Sequence, residues 1–294
     1  MKLAVLALAA VSFLAAAAQA EVTLPTQAGW DAARQTVTTA DGLKLAYVQL
    51  SDGDGTPLLL IHGYTDNSRS WSLPAPYLGL EDRPAYAIDL RGHGASDAPA
   101  CCYGLDSLAN DIVGFMDARG IGKADIVGHS LGSMTAAYVA ATAPERVNKL
   151  VLVSSAVRMP KAAGDWLWEN ITALSYPLDP DSPFMRDWYA NPTPVDQDFI
   201  DRERRESAAR PERVWRGVLA ALSATDWSSL APRITAPTLI LWGDQDPLFD
   251  AAAQAELREA LPDAQTRTFE GLGHNMFWEQ PQAFGAIVTK FLAE

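Results

Sequence analysis

The sequence predicts an α/β protein built on a mostly parallel, eight-stranded sheet with helices on both faces. Short apolar runs alternate with stretches of helical periodicity along most of the chain, and this alternation is typical of parallel strands joined by helices. Several runs, such as 58–61, are apolar at every position, as expected for strands buried on both faces. One long stretch without such runs, 158–235, indicates a helical insertion into the sheet domain.

The first twenty residues have the pattern of a secretory signal. Lys2 precedes an apolar run over 3–18, and Ala18-Gln19-Ala20 matches a signal-peptidase site. We expect cleavage after Ala20, export to the periplasm or out of the cell, and no stable membrane insertion afterwards. A membrane anchor is the alternative, but the run is shorter than the about 20 residues that a span needs.

The elements follow in order along the chain. Strands 35–39 and 43–50 are predicted to form a hairpin through Ala40-Asp41-Gly42. Asp106 is expected to cap the first long helix, and Gly120 to end it. The other predicted strands are 58–61, 85–90, 124–127, 149–154, 238–242 and 265–269, and the other predicted helices are 131–143, 251–260 and 281–292.

Residues 158–235 are predicted to form a helical cap, and residues 21–157 and 236–294 the core domain. The cap segment has helical patterns broken by prolines and is too long for a plain loop. It carries five of the nine tryptophans. Aromatic side chains of helices often fill cores, but some of these are expected to reach the substrate cavity. The candidates for substrate contact are Trp166, Trp168 and Trp188.

The charge of the chain restricts its partners. The formal net charge is −13 at pH 7, and an acidic protein repels phosphate backbones and anionic lipid surfaces. We therefore expect a small-molecule substrate and no nucleic-acid partner. The oligomeric state stays open.

The only two cysteines, Cys101 and Cys102, are adjacent in sequence. A disulfide between neighbours closes a strained ring, so two semi-buried thiols are expected instead. The four histidines show no ligand spacing around this pair. We expect neither a metal site nor a cofactor.

The sequence Gly128-His129-Ser130-Leu131-Gly132 predicts a serine nucleophile. It matches G-x-S-x-G between a predicted strand and a predicted helix, which is the context that this motif requires. The glycines permit the tight turn that lifts the serine hydroxyl above the sheet edge. The helix that follows presents backbone N–H groups and its positive dipole end to developing negative charge.

With four further stretches, this motif makes the chain from about residue 35 to its end resemble the α/β-hydrolase superfamily. The resemblance is closest to capped members related to haloperoxidases, epoxide hydrolases and small-molecule esterases. These motifs are highly specific for the fold and much less specific for the substrate. The further stretches are Ile61-His62-Gly63-Tyr64, Asp89-Leu90-Arg91-Gly92-His93-Gly94-Ala95-Ser96-Asp97, Trp242-Gly243-Asp244-Gln245-Asp246 and Gly273-His274.

The serine needs a base, and His274 is the candidate. The resemblance implies that His62 shapes the oxyanion loop, and His93 is expected to be structural. His129 should point away from the hydroxyl, because in the tight turn around the serine, called the nucleophile elbow, the neighbouring side chains point in other directions. His274 lies in a loop between the last predicted strand and the last helix, and the resemblance selects the same residue.

The base in turn needs an acid to fix its tautomer. Asp244, Asp246 and Asp250 follow the seventh predicted strand. The family pattern Gly-x-x-Asp falls on Asp246, which leaves Asp244 as a turn residue and Asp250 as a helix cap. Some relatives take the acid from the end of the sixth strand, but Val153-Ser154-Ser155 offers no carboxylate there.

The resemblance also implies two backbone donors for the oxyanion, the amides of Tyr64 and Leu131. The Tyr64 side chain should either line the pocket or pack against Trp71.

A serine at the elbow favours acyl chemistry over the alkyl-enzyme chemistry of relatives with aspartate at that position. The sequence therefore predicts a hydrolase of a small to medium, mostly apolar carboxylic ester or lactone, acting through an acyl-enzyme. C–C bond hydrolases, cofactor-free perhydrolases and some acyltransferases share the triad and remain alternatives. A ligand receptor on a hydrolase scaffold is a further alternative from a different class.

Overall fold

The computed structural model describes residues 23–294. The predicted signal segment, residues 1–20, lies outside the described residues. Within them, every helix is too short or too polar to cross a bilayer.

Eight strands form one sheet, and the prediction of a mostly parallel sheet is confirmed. Their spatial order is first, second, fourth, third, and then fifth to eighth. The second strand runs antiparallel to both of its neighbours, whereas all other neighbouring pairs are parallel. In chain order the strands are β1 (Arg34–Thr38), β2 (Lys44–Ser51), β3 (Leu58–Ile61), β4 (Ala85–Ile88), β5 (Ala124–His129), β6 (Val147–Val153), β7 (Thr238–Gly243) and β8 (Gln265–Phe269).

Helices connect and flank these strands. The helix after β5 packs against both β5 and β6, and most of its residues are buried. The α-helices are α1 (Trp30–Ala33), α2 (Leu105–Ala118), α3 (Leu131–Thr142), α4 (Lys161–Ala173), α5 (Pro183–Trp188), α6 (Gln197–Ala208), α7 (Glu212–Ala224), α8 (Ala251–Ala260), α9 (Met276–Glu279) and α10 (Pro281–Ala293).

Of the two predicted N-terminal helix caps, Asp106 and Asp250, the first is wrong. Helix α2 begins at Leu105 and its N-cap is Gly104, so Asp106 lies in the first turn rather than at the cap. A carboxylate in the first turn is still favoured by the helix dipole, and this preference gives the same sequence signal as a cap. Asp250 does cap α8, because its carboxylate accepts a 2.9 Å hydrogen bond from the Ala253 amide.

The two cysteines are free and exposed in the structure, whereas semi-buried side chains were predicted. Their loop is held through its backbone. Arg91 Nη1 donates to the Cys102 carbonyl at 3.0 Å, and Arg213 of α7 donates to the Ala98 carbonyl at 2.7 Å. With the main chain held in this way, both cysteine side chains face solvent.

The chain between β6 and β7 contains α4 to α7, followed by a 3₁₀ helix at Ser228–Arg233. Among the described residues this cap contributes no strand to the sheet. It contacts the core domain through charged and polar groups: Arg69, whose side chain is almost fully buried, donates through Nε to Glu206 of α6 at 2.8 Å. Such a pair fixes the orientation of the cap on the core.

Candidate active site

Ser130 lies at a strained turn between β5 and α3. Its φ of +51° is unusual for a residue with a side chain, and backbone strain of this kind is typical of functional turns. The flanking glycines are required because backbone carbonyl groups lie too close to leave room for a Cβ. A Cβ on Gly128 would lie 2.3 Å from the Gly132 carbonyl oxygen, and one on Gly132 would lie 2.3 Å from the Ile61 carbonyl oxygen. The Ser130 amide donates to the Val153 carbonyl at 2.9 Å, which ties the turn to the end of β6.

His274 and Asp246 form a hydrogen-bonded pair. Nδ1 of His274 lies 2.8 Å from Oδ2 of Asp246. The other carboxylate oxygen accepts from the amides of Leu248 and Phe249, at 2.8 and 3.1 Å. Because the Asp246 side chain is fully buried and held by three donors, it fixes the imidazole with its proton on Nδ1. This arrangement leaves Nε2 unprotonated and able to accept a proton.

The two other acids after β7 are engaged elsewhere. Asp244 accepts from the Gly271 amide at 2.7 Å, and Asp250 caps α8. Of the three acids considered from the sequence, Asp246 is the one that contacts His274.

Ser130 and His274 line the same cavity. Within residues 23–294, no hydrogen bond joins the serine hydroxyl to the His274 ring, whose polar contact is with Asp246. Catalytic hydrogen bonds are often loose before a substrate is bound and tighten in the complex.

The loop after β3 presents a backbone amide beside the elbow. In the described chain, the amides of Tyr64 and Leu131 donate no hydrogen bond to a protein atom, so both remain available to an oxyanion. His62 shapes this loop: its Nδ1 donates to the Gly63 carbonyl at 2.7 Å and its Nε2 accepts from the Leu90 amide at 3.0 Å. Burial lowers the pKa of His62 to about 3, which keeps the ring neutral.

The cavity has a volume of about 640 Å³ and lies between the core and the cap. Among the described residues, none of those that line it is a lysine or an arginine. Polar groups enter from a few positions, including Asp66, Tyr189 and Asn191. The apolar wall includes Met159, Leu167, Trp188, Leu222, Leu248 and Phe249.

The residues described also contain no cluster of three or more histidine, cysteine, aspartate or glutamate side chains suited to a metal ion.

A family model described as the alpha/beta hydrolase fold matches residues 56–281. The chain belongs to the α/β-hydrolase family. The resemblance inferred from the sequence motifs is therefore confirmed.

Two curated relatives and one solved structure illustrate the similarity. A non-heme chloroperoxidase of Streptomyces lividans is 29% identical over 275 residues, which cover 87% of this chain and 99% of the relative. The 2-(acetamidomethylene)succinate hydrolase of Mesorhizobium japonicum is 31% identical over 260 residues, covering 82% of this chain and 89% of the relative. The crystal structure of a hydrolase from Pseudomonas aeruginosa PA01 has a TM-score of 0.79 at 26% identity, and the match covers 89% of this chain and 98% of that one.

The five cap tryptophans of this α/β hydrolase lie in three environments, namely the cavity wall, the surface and the interior. Trp166 and Trp188 line the cavity, but Trp168 does not, so the prediction of substrate contact for Trp168 is corrected. Two residues along a helix correspond to a rotation of about 200°, which turns Trp168 away from the side of α4 that carries Trp166. Trp215 and Trp227 are buried.

The Tyr64 side chain faces the cavity and the cap. Its hydroxyl donates to the Trp215 carbonyl at 2.5 Å. Its ring makes edge contacts with Trp188 and Trp215, at centroid distances of 6.0 and 5.7 Å. The alternative partner Trp71 packs against Phe277 instead, at 5.0 Å.

Asp66 is a buried acid on the cavity wall that was not predicted from the sequence. Its Oδ1 accepts from the Tyr189 hydroxyl at 3.2 Å, and its Oδ2 lies 3.9 Å from Nδ1 of His129. Burial raises the pKa of Asp66 to about 7. Nothing in the sequence around this aspartate signals that the cap covers it.

A second buried acid lies close by at the boundary of core and cap. Glu203 of α6 accepts from Asn67 Nδ2 at 3.1 Å and from Ser70 Oγ at 3.4 Å. Burial, and then the neighbouring Asp66, raise its pKa well above the usual value. The cap is therefore seated on the core by the buried Glu203 side chain as well as by the ion pair of Arg69.

His129 does not bond the serine hydroxyl. Its Nε2 lies 3.1 Å from the His274 carbonyl oxygen, and its ring contacts the His274 ring at a centroid distance of 4.9 Å. His129 therefore contacts the candidate base His274. The sequence predicted only that its side chain points away from the Ser130 hydroxyl, not this contact. The two remaining histidines, His62 and His93, are buried outside the cavity lining and contact each other at 5.0 Å.

Proposed function

We propose that this protein is a serine hydrolase that cleaves a small to medium, uncharged and mostly apolar carboxylic ester or lactone through an acyl-enzyme. The observation that carries the proposal is the His274–Asp246 pair, which opens onto the same apolar cavity as Ser130. Membership of the α/β-hydrolase family supports the same reaction type.

In the proposed mechanism, Nε2 of His274 removes the proton of the Ser130 hydroxyl as Oγ attacks the acyl carbon. The tetrahedral oxyanion is stabilised by the amides of Tyr64 and Leu131 and by the N-terminus of α3. Asp246 stabilises the imidazolium that forms. His274 then protonates the departing alkoxide, which leaves as the alcohol or stays attached as the opened lactone chain. A water molecule, deprotonated by His274, attacks the acyl-enzyme and releases the carboxylic acid.

The charge of the cavity favours a neutral substrate. A carboxylate placed there would lose its hydration without meeting a lysine or arginine among the described lining residues, and an unpaired buried charge is costly. The relative from Mesorhizobium japonicum is named for a succinate derivative, a substrate with two carboxylates. We therefore propose that this chain takes a different substrate class from that relative.

A matched pair of esters tests this proposal. p-Nitrophenyl butyrate and p-nitrophenyl hemisuccinate have acyl chains of equal length, but only the second ends in a carboxylate. We expect the butyrate to be preferred by at least about 100-fold in kcat/KM, and Ser130→Ala to abolish both activities. Equal rates on the two esters would contradict the neutral-substrate proposal, and full activity of Ser130→Ala would contradict the mechanism.

Similarity to a chloroperoxidase of this fold supports a second candidate, a perhydrolase. Hydrogen peroxide in place of water would attack the same acyl-enzyme and release a peracid, with no change in the roles of Ser130 and His274. The ratio of peracid to acid formed from p-nitrophenyl acetate, measured over a series of peroxide concentrations, separates the two activities. A hydrolase gives mainly acid even at high peroxide concentration.

Export is also part of the proposal, and it is supported by the sequence of residues 1–20. N-terminal sequencing of the mature protein from the periplasmic or culture fraction should begin at Glu21. A cytoplasmic protein that starts at Met1 would contradict it.

A further inference from the structure

Ser154, at the end of β6, takes no part in the proposed mechanism but has an unusual conformation. It directly follows Val153, the last residue of β6, and its φ is +46°. This left-handed region favours glycine, and a residue with a Cβ is strained there. Its side chain is fully buried, and its hydroxyl donates a 2.7 Å hydrogen bond to the main-chain carbonyl of His274.

The same carbonyl has a second donor. Nε2 of His129 lies 3.1 Å from the His274 carbonyl oxygen, and because a carbonyl only accepts, Nε2 must carry the ring proton. Burial lowers the pKa of His129 well below its usual value, so the ring is neutral. Its other nitrogen, Nδ1, is buried and has no hydrogen-bond partner among the described residues. The bond to the His274 carbonyl is therefore the hydrogen bond of this ring among the described residues, and the Phe277 ring packs against it at a centroid distance of 4.7 Å.

One donor comes from the turn that carries the nucleophile, and the other comes from the end of the neighbouring strand β6. His129 precedes Ser130 in the elbow. Ser154 follows Val153, whose carbonyl accepts the Ser130 amide at 2.9 Å. The elbow, the end of β6 and the loop of the candidate base are thus joined at one peptide group. On the N-terminal side of the candidate base, the Gly273 amide donates to Glu279 Oε1 at 2.7 Å.

We infer that Ser154 and His129 are positioning residues, which hold the main chain of His274 so that its ring faces Ser130. The inference rests on the proposed function, in which His274 is the base. Glycine at position 154 would relieve the strain but would lose this hydrogen bond, so its two effects on stability oppose each other. The serine keeps the strain and supplies the hydroxyl that holds the histidine. Catalysis by a base depends on such placement, because small displacements are costly in rate.

Ser154→Gly tests the inference, because a positioning role predicts a lower kcat without a loss of fold stability. The substitution removes the hydroxyl and relieves the backbone. We expect kcat on p-nitrophenyl butyrate to fall about 10- to 100-fold, with KM changed less than about twofold and with the urea midpoint unchanged or raised. Ser154→Ala removes the same hydroxyl but keeps the Cβ. It should show the same fall in kcat with a lower urea midpoint than Ser154→Gly.

His129 provides an independent test through rescue. His129→Gln keeps an amide N–H at similar reach and should retain most of kcat, whereas His129→Leu should lose about as much as Ser154→Gly. The positioning role is overturned if Ser154→Gly has wild-type kcat, if its kcat and urea midpoint fall together, or if the glutamine and leucine variants are equally active.

The proposed function is tested separately by Ser130→Ala. An inactive Ser130→Ala together with an unaffected Ser154→Gly rejects the positioning role alone. An active Ser130→Ala rejects the reaction on which that role depends.

Discussion

The hydroxyl of Tyr64 donates a 2.5 Å hydrogen bond to the main-chain carbonyl of Trp215. The bond joins the loop after β3, which carries a candidate oxyanion amide, to helix α7 of the cap. The bond therefore ties the loop that carries this amide to the cap.

Tyr64→Phe should loosen this connection while it leaves the ring and the amide in place. We expect the free energy of unfolding to fall by about 1 kcal/mol, the usual contribution of one such hydrogen bond. KM should rise more than kcat falls, because the cap wall is displaced and the backbone donor is retained. Urea denaturation and kinetics on p-nitrophenyl butyrate measure both effects. Tyr77→Phe, a change at an exposed tyrosine, is the matched control and should leave both unaltered.

Asp246→Asn should reduce kcat by about 10³- to 10⁴-fold, because the neutral amide neither fixes the tautomer of His274 nor stabilises its cation. The fold should persist, since the asparagine oxygen is still able to accept from the amides of Leu248 and Phe249. Asp244→Asn alters an acid of the same loop that does not contact His274. If both variants lost activity equally, Asp246 would have no special part in the reaction.

Trp166 and Trp168 form a matched pair on α4, with exposed fractions of 46% and 48%. Only Trp166 lines the cavity. Trp166→Ala should therefore shift the preference toward longer acyl chains, by about 10-fold in the kcat/KM ratio of p-nitrophenyl octanoate to butyrate. Trp168→Ala should leave this ratio unchanged. A change in both variants would indicate a general effect on the cap.

Asp66 should make the stability of the protein depend on pH. Its pKa is about 7 in the folded protein against an ordinary value of 3.8. Between these values the folded state keeps a proton that the unfolded state has lost, so stability falls as the pH rises through this window and levels off above it. Glu203 adds a contribution of the same sign, because burial also raises its pKa.

Asp66→Asn removes the ionisable group but keeps an acceptor for the Tyr189 hydroxyl. The variant should be as stable as the wild type near pH 4 and more stable at pH 8, with a smaller fall in urea midpoint between the two. Glu81→Gln, at an exposed position, should leave the wild-type pH dependence intact. A variant with the full wild-type fall would show that Asp66 ionises normally in the folded state.

Much of this architecture could be predicted from local sequence. β3 has the predicted bounds because four consecutive apolar residues between polar turns allow little else. The pairing of Asp246 with His274 followed from the Gly-x-x-Asp pattern of the family. Both signals depend on residues that are close together in the chain.

The remaining features depend on contacts between distant parts of the chain. Ser154 and His129 contact the His274 carbonyl across 120 and 145 positions of sequence. Neither the strained φ of Ser154 nor the burial of Asp66 under the cap has a local pattern that would reveal it. Trp168 was misassigned because composition indicates an aromatic cap but not which side of α4 faces inward.

The cap is one uninterrupted stretch of chain between β6 and β7, and each proposed reactive group, from Tyr64 to His274, lies outside it. A single recombination event in the gene would therefore exchange one wall of the cavity and leave the chemistry in place. A foreign cap would have to supply an acceptor for the Tyr64 hydroxyl and an acid for Arg69, which are the contacts that Trp215 and Glu206 provide here. Chimeras that meet these two conditions should acquire new substrate ranges without loss of the hydrolytic machinery.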